Sequence, residues 1–291
     1  MPITDTPLRY PGGKSQLIPF IVELLRENQL FYGEYAEPFA GGAGVAMTLL
    51  LKGYVDRIHI NDIDPAIHAF WDAVLHHTDE LCELVSGSEI TIDTWHDQRK
   101  FHFEGDVNDV VRLGFSTLFL NRTNRSGILK GGVIGGLAQQ GAYKLNCRFN
   151  KSDIIRKIKR IALYQEQINL TCLDAVEFVN KVVPTTGPQT LVNLDPPYFS
   201  KGPGLYTNFY KENDHEMLSK TVSNISRYWM VTYDDAPEIR QLYAKYSIFF
   251  YGINYSAQKK RVGTELMVLD DQLRIPQNLC MPLENISVAA Q

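Results

Sequence analysis

The stretch most able to do chemistry is Asp195-Pro196-Pro197-Tyr198, which follows the apolar run Leu191-Val192-Asn193-Leu194. It reads as a buried strand that delivers an acid, two prolines and an aromatic ring to its C-terminal end. In open parallel sheets that edge is where ligands bind. Proline lacks an N–H and has a fixed φ, so the pair stiffens the chain and leaves carbonyls pointing outward. A carboxylate and a neighbouring carbonyl can accept both hydrogens of a planar amino group, and a tyrosine face can stack on an aromatic ring. Together the four residues can hold the exocyclic amine of a base. A strand that ends in a Pro-Pro turn with a capping Asp has the same composition, so the motif alone leaves both readings open.

A second group lies earlier. Ala36-Glu37-Pro38-Phe39-Ala40-Gly41-Gly42-Ala43-Gly44 reads as strand, Gly-rich turn, then helix. Glycines let backbone approach a ligand, and the helix N-terminus favours an anionic group. Asp62 follows Gly41 by 21 residues, at the end of the next strand. An acid at that distance is placed to bind ribose hydroxyls, so the pair indicates a nucleoside-bearing cofactor. Gly13-Lys14-Ser15 looks like a phosphate loop, but that pattern demands glycine where Leu8 stands, and no strand precedes it.

These residues need a frame. Helical periodicity predicts a helix over Lys14–Asn28, and strands follow at Tyr35–Glu37 and Arg57–Asn61, with a helix near Val45–Lys52 between them. From Ala66 to Asn150 the alternation stops. Ala66–Ser86, Thr94–Phe103 and Val107–Leu120 read as helices, and Ser126–Gly141 holds six glycines in sixteen residues. Alternation resumes with helix Lys151–Tyr164, strand Ile168–Cys172, helix Ala175–Val182 and strand Thr190–Leu194. Helix Asp214–Ser226, strand Tyr228–Tyr233 and helix Pro237–Lys245 continue it. Two final strands, Ser247–Tyr255 and Thr264–Leu269, leave no room for a helix between them. The βα units imply a parallel sheet covered on both faces, and the last pair an antiparallel edge strand.

The 291 residues are 44% hydrophobic and 21% charged, ordinary for a globular chain. The net charge is −4, which for the whole chain argues against nucleic acid. Yet Asn121–Arg160 holds ten basic residues and one acid, a local +9 that leaves −13 on the remaining 251. A basic segment of this kind contacts phosphates, and Asn121, Arg122, Asn124 and Arg125 are residue types that read base edges or grip backbone. Lys130, Lys144 and Arg148 extend the set; the 156–160 basic residues read equally well as a solvated helix face. Cys82, Cys147, Cys172 and Cys280 show no Cys-x-x-Cys spacing and read as buried reduced thiols. No histidine spacing fits a standard zinc pattern, so no metal is expected. No apolar run approaches the ~20 residues a membrane helix needs, and no signal peptide is visible.

Tyr10-Pro11-Gly12-Gly13-Lys14, Glu37-Pro38-Phe39-Ala40-Gly41-Gly42, Asp62, Asp174 and Asp195-Pro196-Pro197-Tyr198, in this order, resemble the Dam-like DNA adenine N6-methyltransferase family of the Asp-Pro-Pro-Tyr class. Asn121-Arg122-Thr123-Asn124-Arg125-Ser126-Gly127 and Leu205-Tyr206-Thr207-Asn208-Phe209-Tyr210 are similar as well. The resemblance runs from about Leu8 to Leu269. One departure is Ala43, where the family's turn has its last glycine. The resemblance implies an α/β fold: a Rossmann-like S-adenosylmethionine-dependent methyltransferase sheet with an antiparallel edge strand, plus an inserted, mainly helical target-recognition subdomain. Residues 1–64 and 151–291 would form the catalytic domain and residues 65–150 the insertion.

It implies S-adenosylmethionine as cofactor. Tyr10, Gly13 and Lys14 would lie near its methionine end and Glu37, Pro38, Phe39, Gly41 and Gly42 would pass beneath it. Asp62 would take the ribose, and Asp174 with Ala175 the adenine; Asp174 also reads as a helix N-cap. Asp195, also a cofactor neighbour, Pro196, Pro197 and Tyr198 would be catalytic, methylating N6 of an adenine flipped out of double-stranded DNA. The expected setting is a cytoplasmic bacterial or phage-encoded enzyme, a monomer or weak dimer, in a restriction-modification context.

Overall fold

The computed structural model describes residues 5–9, 14–199, 210–255, 261–276 and 283–285. Tyr10, Gly13, Cys280 and the 205–209 stretch therefore lie outside the described residues.

A 3-10 turn, Lys14–Leu17, leads into α1 (Ile18–Glu27), which buries Phe20, Ile21, Val22, Leu24 and Leu25. β1 (Glu34–Glu37), α2 (Gly44–Leu51) and β2 (Arg57–Asn61) follow. Asp64 caps the next helix by accepting from the Ala66 N–H at 2.9 Å, and Pro65 occupies its first turn. The helix expected over Ala66–Ser86 is two, α3 (Pro65–His76) and α4 (Thr78–Gly87), divided at His77. Asp79 and Glu80 suit the positive end of the restarted helix. α5 (Ile92–Glu104) and α6 (Val110–Thr123) complete the helical segment, and α7 (Lys151–Ala162) returns the chain to the sheet. Then come β3 (Ile168–Thr171), α8 (Ala175–Lys181), β4 (Thr190–Leu194), α9 (Glu212–Val222), β5 (Tyr228–Asp234) and α10 (Pro237–Leu242). β6 (Ser247–Tyr255), β7 (Arg261–Leu269) and β8 (Leu283–Asn285) close the chain.

Among the described residues one sheet runs β3-β2-β1-β4-β5-β7-β6-β8. β1 to β5 are parallel; β7 is antiparallel to both β5 and β6. The antiparallel strand expected at this side of the sheet is thus inserted between β5 and β6, and the tail adds β8 as the edge. Strand order reverses between β1 and β4, so the two diverging crossovers leave a crevice at their C-terminal ends.

Alternation along the strands gives the sheet two cores. Tyr35, Leu191, Met230 and Met267 face the side covered by α1, α2 and the helical segment. Ala36, Val192, Val231 and Val268 face α8, α9 and α10. The helical segment shares the first core: Trp71, Trp95, Phe115 and Phe119 belong to the same cluster as Ile58 and Ile60. α3 and α6 approach closely at Gly114, where a Cβ would stand 2.8 Å from the Ala69 carbonyl oxygen. α6 is buried without a break from Leu113 to Thr123. Among the described residues no helix is long and apolar enough to cross a membrane.

Candidate active site and nucleic-acid interface

Parallel strands bring their C-terminal ends to one edge, so four acids separated along the chain converge there. Glu37 ends β1, Asp62 follows β2, Asp174 follows β3 and Asp195 follows β4. Asp195 sits at the switch point. Its Oδ1 lies 3.0 Å from the Lys14 Nζ and accepts from the Thr232 hydroxyl at 2.8 Å. Both contacts are on one oxygen, Oδ1, and the side chain is 25% exposed. Pro196 and Pro197 are buried behind it.

Lys14 is the centre of a buried network. Its ammonium donates to Glu265 Oε2 at 2.9 Å and to the Tyr198 hydroxyl at 2.7 Å. Glu265, on β7, is fully buried (0% exposed) and also accepts from the Tyr198 and Tyr251 hydroxyls. Register delivers it: Glu265 pairs with Asp234 of β5 and Tyr251 of β6. Burial alone would lower the Lys14 ammonium, but Asp195 and Glu265 outweigh it and hold it above its ordinary value. Burial pushes the Asp195 carboxyl up, Lys14 opposes the rise and Glu265 adds to it. Tyr198 is 2% exposed with its hydroxyl tied inward, so in this arrangement the ring presents no open stacking face.

Glu37, Asp62 and Asp174, three of the residues predicted from the sequence, follow strand ends at the same edge. Glu37 is buried and accepts from the Tyr35 hydroxyl at 3.1 Å, while Asn193 donates to that hydroxyl at 2.8 Å. Burial raises the Glu37 carboxyl to about 8. Pro38 is buried, Phe39 half-buried and packed edge-on against Tyr210, and Gly41 and Gly42 are buried in the turn. Asp62 accepts from the Gly41 N–H at 2.9 Å through Oδ2 and from the Asp64 N–H at 2.9 Å through Oδ1. It therefore clasps the turn with both oxygens, and burial lifts it to about 6. Asp174 is exposed and caps α8 at the Val176 N–H, 2.8 Å away; Ala175 is buried behind it. The Ala43 departure has a visible consequence: its φ is 44°, a left-handed conformation that glycine adopts freely and alanine does not.

The basic segment divides. Arg125, Lys130 and Lys144 are exposed and Arg148 is half-buried. Asn121 and Asn124, read from the sequence as residue types that contact base edges or backbone, are interior, a correction to that reading. Asn121 accepts from the Arg9 N–H at 2.7 Å and donates to the Arg9 and Gly127 carbonyls at 2.6 and 3.0 Å. Asn124 accepts from the Trp95 indole at 2.7 Å and donates to the Ile128 and Leu129 carbonyls at 3.0 and 2.9 Å. The cause is the all-round burial of the end of α6: an amide there must spend its hydrogen bonds on backbone. Arg122 is buried too. The loop that follows is stitched by Asn124, by its bridge to Val133, and by Gln139, which donates to the Ile134 and Gly136 carbonyls. Of the three described cysteines only Cys82 is buried; Cys147 and Cys172 are exposed, and all three are free thiols.

Several residues escaped the sequence reading. Glu265 had a signal, a charge inside the apolar strand Leu266-Met267-Val268. Asn61 is fully buried and joins the Pro38 carbonyl to both backbone groups of Leu173, tying the β1 and β3 loops together. Thr232 and Tyr251 had none.

A sequence model of the D12 class N6 adenine-specific DNA methyltransferases matches residues 10–256. The Type II methyltransferase M.MjaIII of Methanocaldococcus jannaschii is 26% identical over 206 residues, 66% of this chain and 68% of that protein. Among solved structures, the rRNA methyltransferase aviRa from Streptomyces viridochromogenes aligns at TM-score 0.32 and 11% identity, covering 85% of this chain and 81% of that one. Protein LPL1258 from Legionella pneumophila aligns at TM-score 0.31 and 10% identity, over 87% and 83%. The family match, not these structural similarities, carries the assignment. The chain belongs to the D12 class of N6 adenine-specific DNA methyltransferases.

Proposed function

We propose that this enzyme uses S-adenosylmethionine to methylate an adenine flipped out of double-stranded DNA, with Asp195 and the Pro196 carbonyl holding the target amino group. The observation that carries the reading is Asp195: it follows β4 at the switch point of the sheet, its Oδ1 is anchored by Lys14 and Thr232, and its side chain keeps 25% exposure. The donor set fits the cofactor. Glu37, Asp62 and Asp174 present carboxyl groups along the edge, and Lys14 is already committed to Asp195 and Glu265. Such a set suits a ligand with hydroxyls and an amino group. Asp62 would hold the ribose, Asp174 the adenine amino group and Phe39 the ring. When bound, the cofactor supplies an electrophilic methyl group.

The rest follows from the chain's own groups. An adenine amino nitrogen has its lone pair delocalised into the ring. Accepting both its hydrogens, at Asp195 Oδ2 and the Pro196 carbonyl, favours a pyramidal nitrogen with an available lone pair. Lys14 and Thr232 fix the carboxylate beforehand, so the acceptor is oriented before the base arrives. Stacking on Tyr198 requires its face to be uncovered as the base enters. We also infer that residues 65–150 form the target-recognition unit, in which Arg125, Lys130, Lys144 and Arg148 meet DNA phosphates. Likeness to a Type II methyltransferase supports a restriction-modification role. A DNA substrate implies the cytoplasm.

Asp195→Ala is expected to abolish methyl transfer and keep the fold. The test is expression in a methylation-deficient bacterium with methyladenine mapped by sequencing. Absence of methyladenine from cells making the wild type, or full turnover by the variant, refutes the reading. Competition between duplex DNA and RNA for labelled methyl transfer decides the substrate.

A further inference from the structure

The C-terminal end of β5 grips the segment Asp195–Phe199 from consecutive residues. The Thr232 hydroxyl donates to Asp195 Oδ1 at 2.8 Å, at the start of Asp195-Pro196-Pro197-Tyr198. Asp234 Oδ1 accepts from the Phe199 N–H at 2.8 Å, just past its end. Successive side chains of a strand point to opposite faces, so Tyr233, between them, enters the core under α9 and α10. There its hydroxyl meets His215 Nδ1 at 2.9 Å.

His215, on α9, is 1% exposed and is the hub of an aromatic cluster. Its ring centroid lies 5.2 Å from Phe199, 5.4 Å from Tyr210 and 5.5 Å from Tyr233. Tyr210 in turn packs on Phe39, in the turn after β1. Phe199 is thus anchored by its backbone to Asp234 and by its ring to His215. Nε2 of His215 is buried with no hydrogen-bond partner among the described residues. A phenylalanine would fill this space with no polar atom to desolvate, so packing alone does not account for an imidazole here. What the imidazole adds is the bond to Tyr233, which fixes the rotation of its ring. Burial lowers the imidazole from its ordinary value against the pull of Asp214 and Asp234, so at neutral pH it puts no charge into the cluster.

We propose that His215 is a positioning residue for methyl transfer: held by Tyr233, its ring fixes Phe199 and, through it, the Pro196 carbonyl relative to Asp195. This rests on the functional reading above, in which that carbonyl and Asp195 accept the two hydrogens of the target amino group, and adds a residue to it. Pro196 and Pro197 have fixed φ, so a shift of Phe199 is passed along the segment instead of being absorbed in it. The effect is exerted on the geometry of the acceptors and not on the binding of DNA, so its loss is read in kcat and not in KM.

Tyr233→Phe and His215→Phe each keep the rings and remove the hydrogen bond, and the double variant removes no further bond between them. Each single variant is expected to lower kcat roughly tenfold with the KM for DNA held within about twofold, and the double variant to lose no more than either. Hydrogen exchange at the Phe199 amide, followed in protein carrying isotope-labelled phenylalanine, should quicken in the same variants, a readout that needs no methyl transfer. Tyr233→Phe removes only a hydroxyl, so it keeps the test valid if His215→Phe fails to fold. Unchanged kcat in Tyr233→Phe, a loss carried by KM, unchanged exchange at Phe199 or additive losses in the double variant each overturn the proposal. Turnover by the wild type is measured alongside. Quickened exchange in the variants with no turnover by the wild type sinks the functional reading alone, and wild-type turnover with unaltered variants sinks the positioning role alone.

Discussion

Lys14→Met removes the cation that, among the described residues, bridges two buried carboxylates. The ammonium is 3.0 Å from Asp195 and 2.9 Å from Glu265, and its side chain is almost wholly buried. Methionine fills the volume without the charge. Breaking a buried pair by removing one partner costs about 3–5 kcal/mol where the remaining charge must stay ionised. Here the protein can take up a proton instead, which makes the loss depend on pH. In the unfolded chain both carboxyls titrate near 4. In the folded variant Asp195, already raised by burial and by Glu265, loses the Lys14 contact that opposes the rise.

The native variant then binds a proton that the unfolded chain does not. Stability therefore falls as pH rises from the unfolded pKa toward the folded one, by about 1.4 kcal/mol per pH unit for one proton. Wild type shows this slope only in the measure that Asp195 itself is raised. The gap between the two proteins should widen by up to ~2.7 kcal/mol between pH 5 and 7. Urea unfolding at pH 5, 6, 7 and 8, followed by tryptophan fluorescence, measures it. A gap of constant size across that range refutes the network as drawn: Lys14 would then not be what neutralises Asp195 and Glu265.

Ala43→Gly should stabilise the enzyme by about 0.5–1 kcal/mol in thermal or urea unfolding, because relief of left-handed strain outweighs the added chain entropy. Cofactor affinity should fall as pH drops through about 6, where Asp62 takes up a proton, reaching about a tenfold loss at pH 5. Calorimetric titration of S-adenosylmethionine checks this, and Asp62→Asn should bind weakly with that dependence gone.

Local patterns read from the sequence survived folding where a segment's neighbours share its preferences. β2, β4 and β6 have the bounds expected from their apolar runs. The Asp195-Pro196-Pro197-Tyr198 motif stands at a strand end facing the crevice, with Glu37, Asp62 and Asp174 on the same edge. That much follows from βα alternation, because parallel strands must send their C-terminal ends to one side. What failed was the inference from residue type to exposure. Asn121, Arg122 and Asn124 have the chemistry of DNA contacts, and their local sequence gives no sign that α3, α5 and the following loop enclose them.

The amino-acid sequence by itself determined the chemistry available to this enzyme: the acids, their order, the strands that carry them and a basic segment apart from an acidic body. Tertiary structure decided which of those groups act together. Placing β7 between β5 and β6 brought Glu265 to Lys14 across 251 residues of chain. Packing α6 into the core turned two asparagines into backbone clasps and enclosed the Arg122 guanidinium. Both outcomes arise from long-range pairing and burial, which depend on what lies beside a residue in space and not on what lies beside it in the chain.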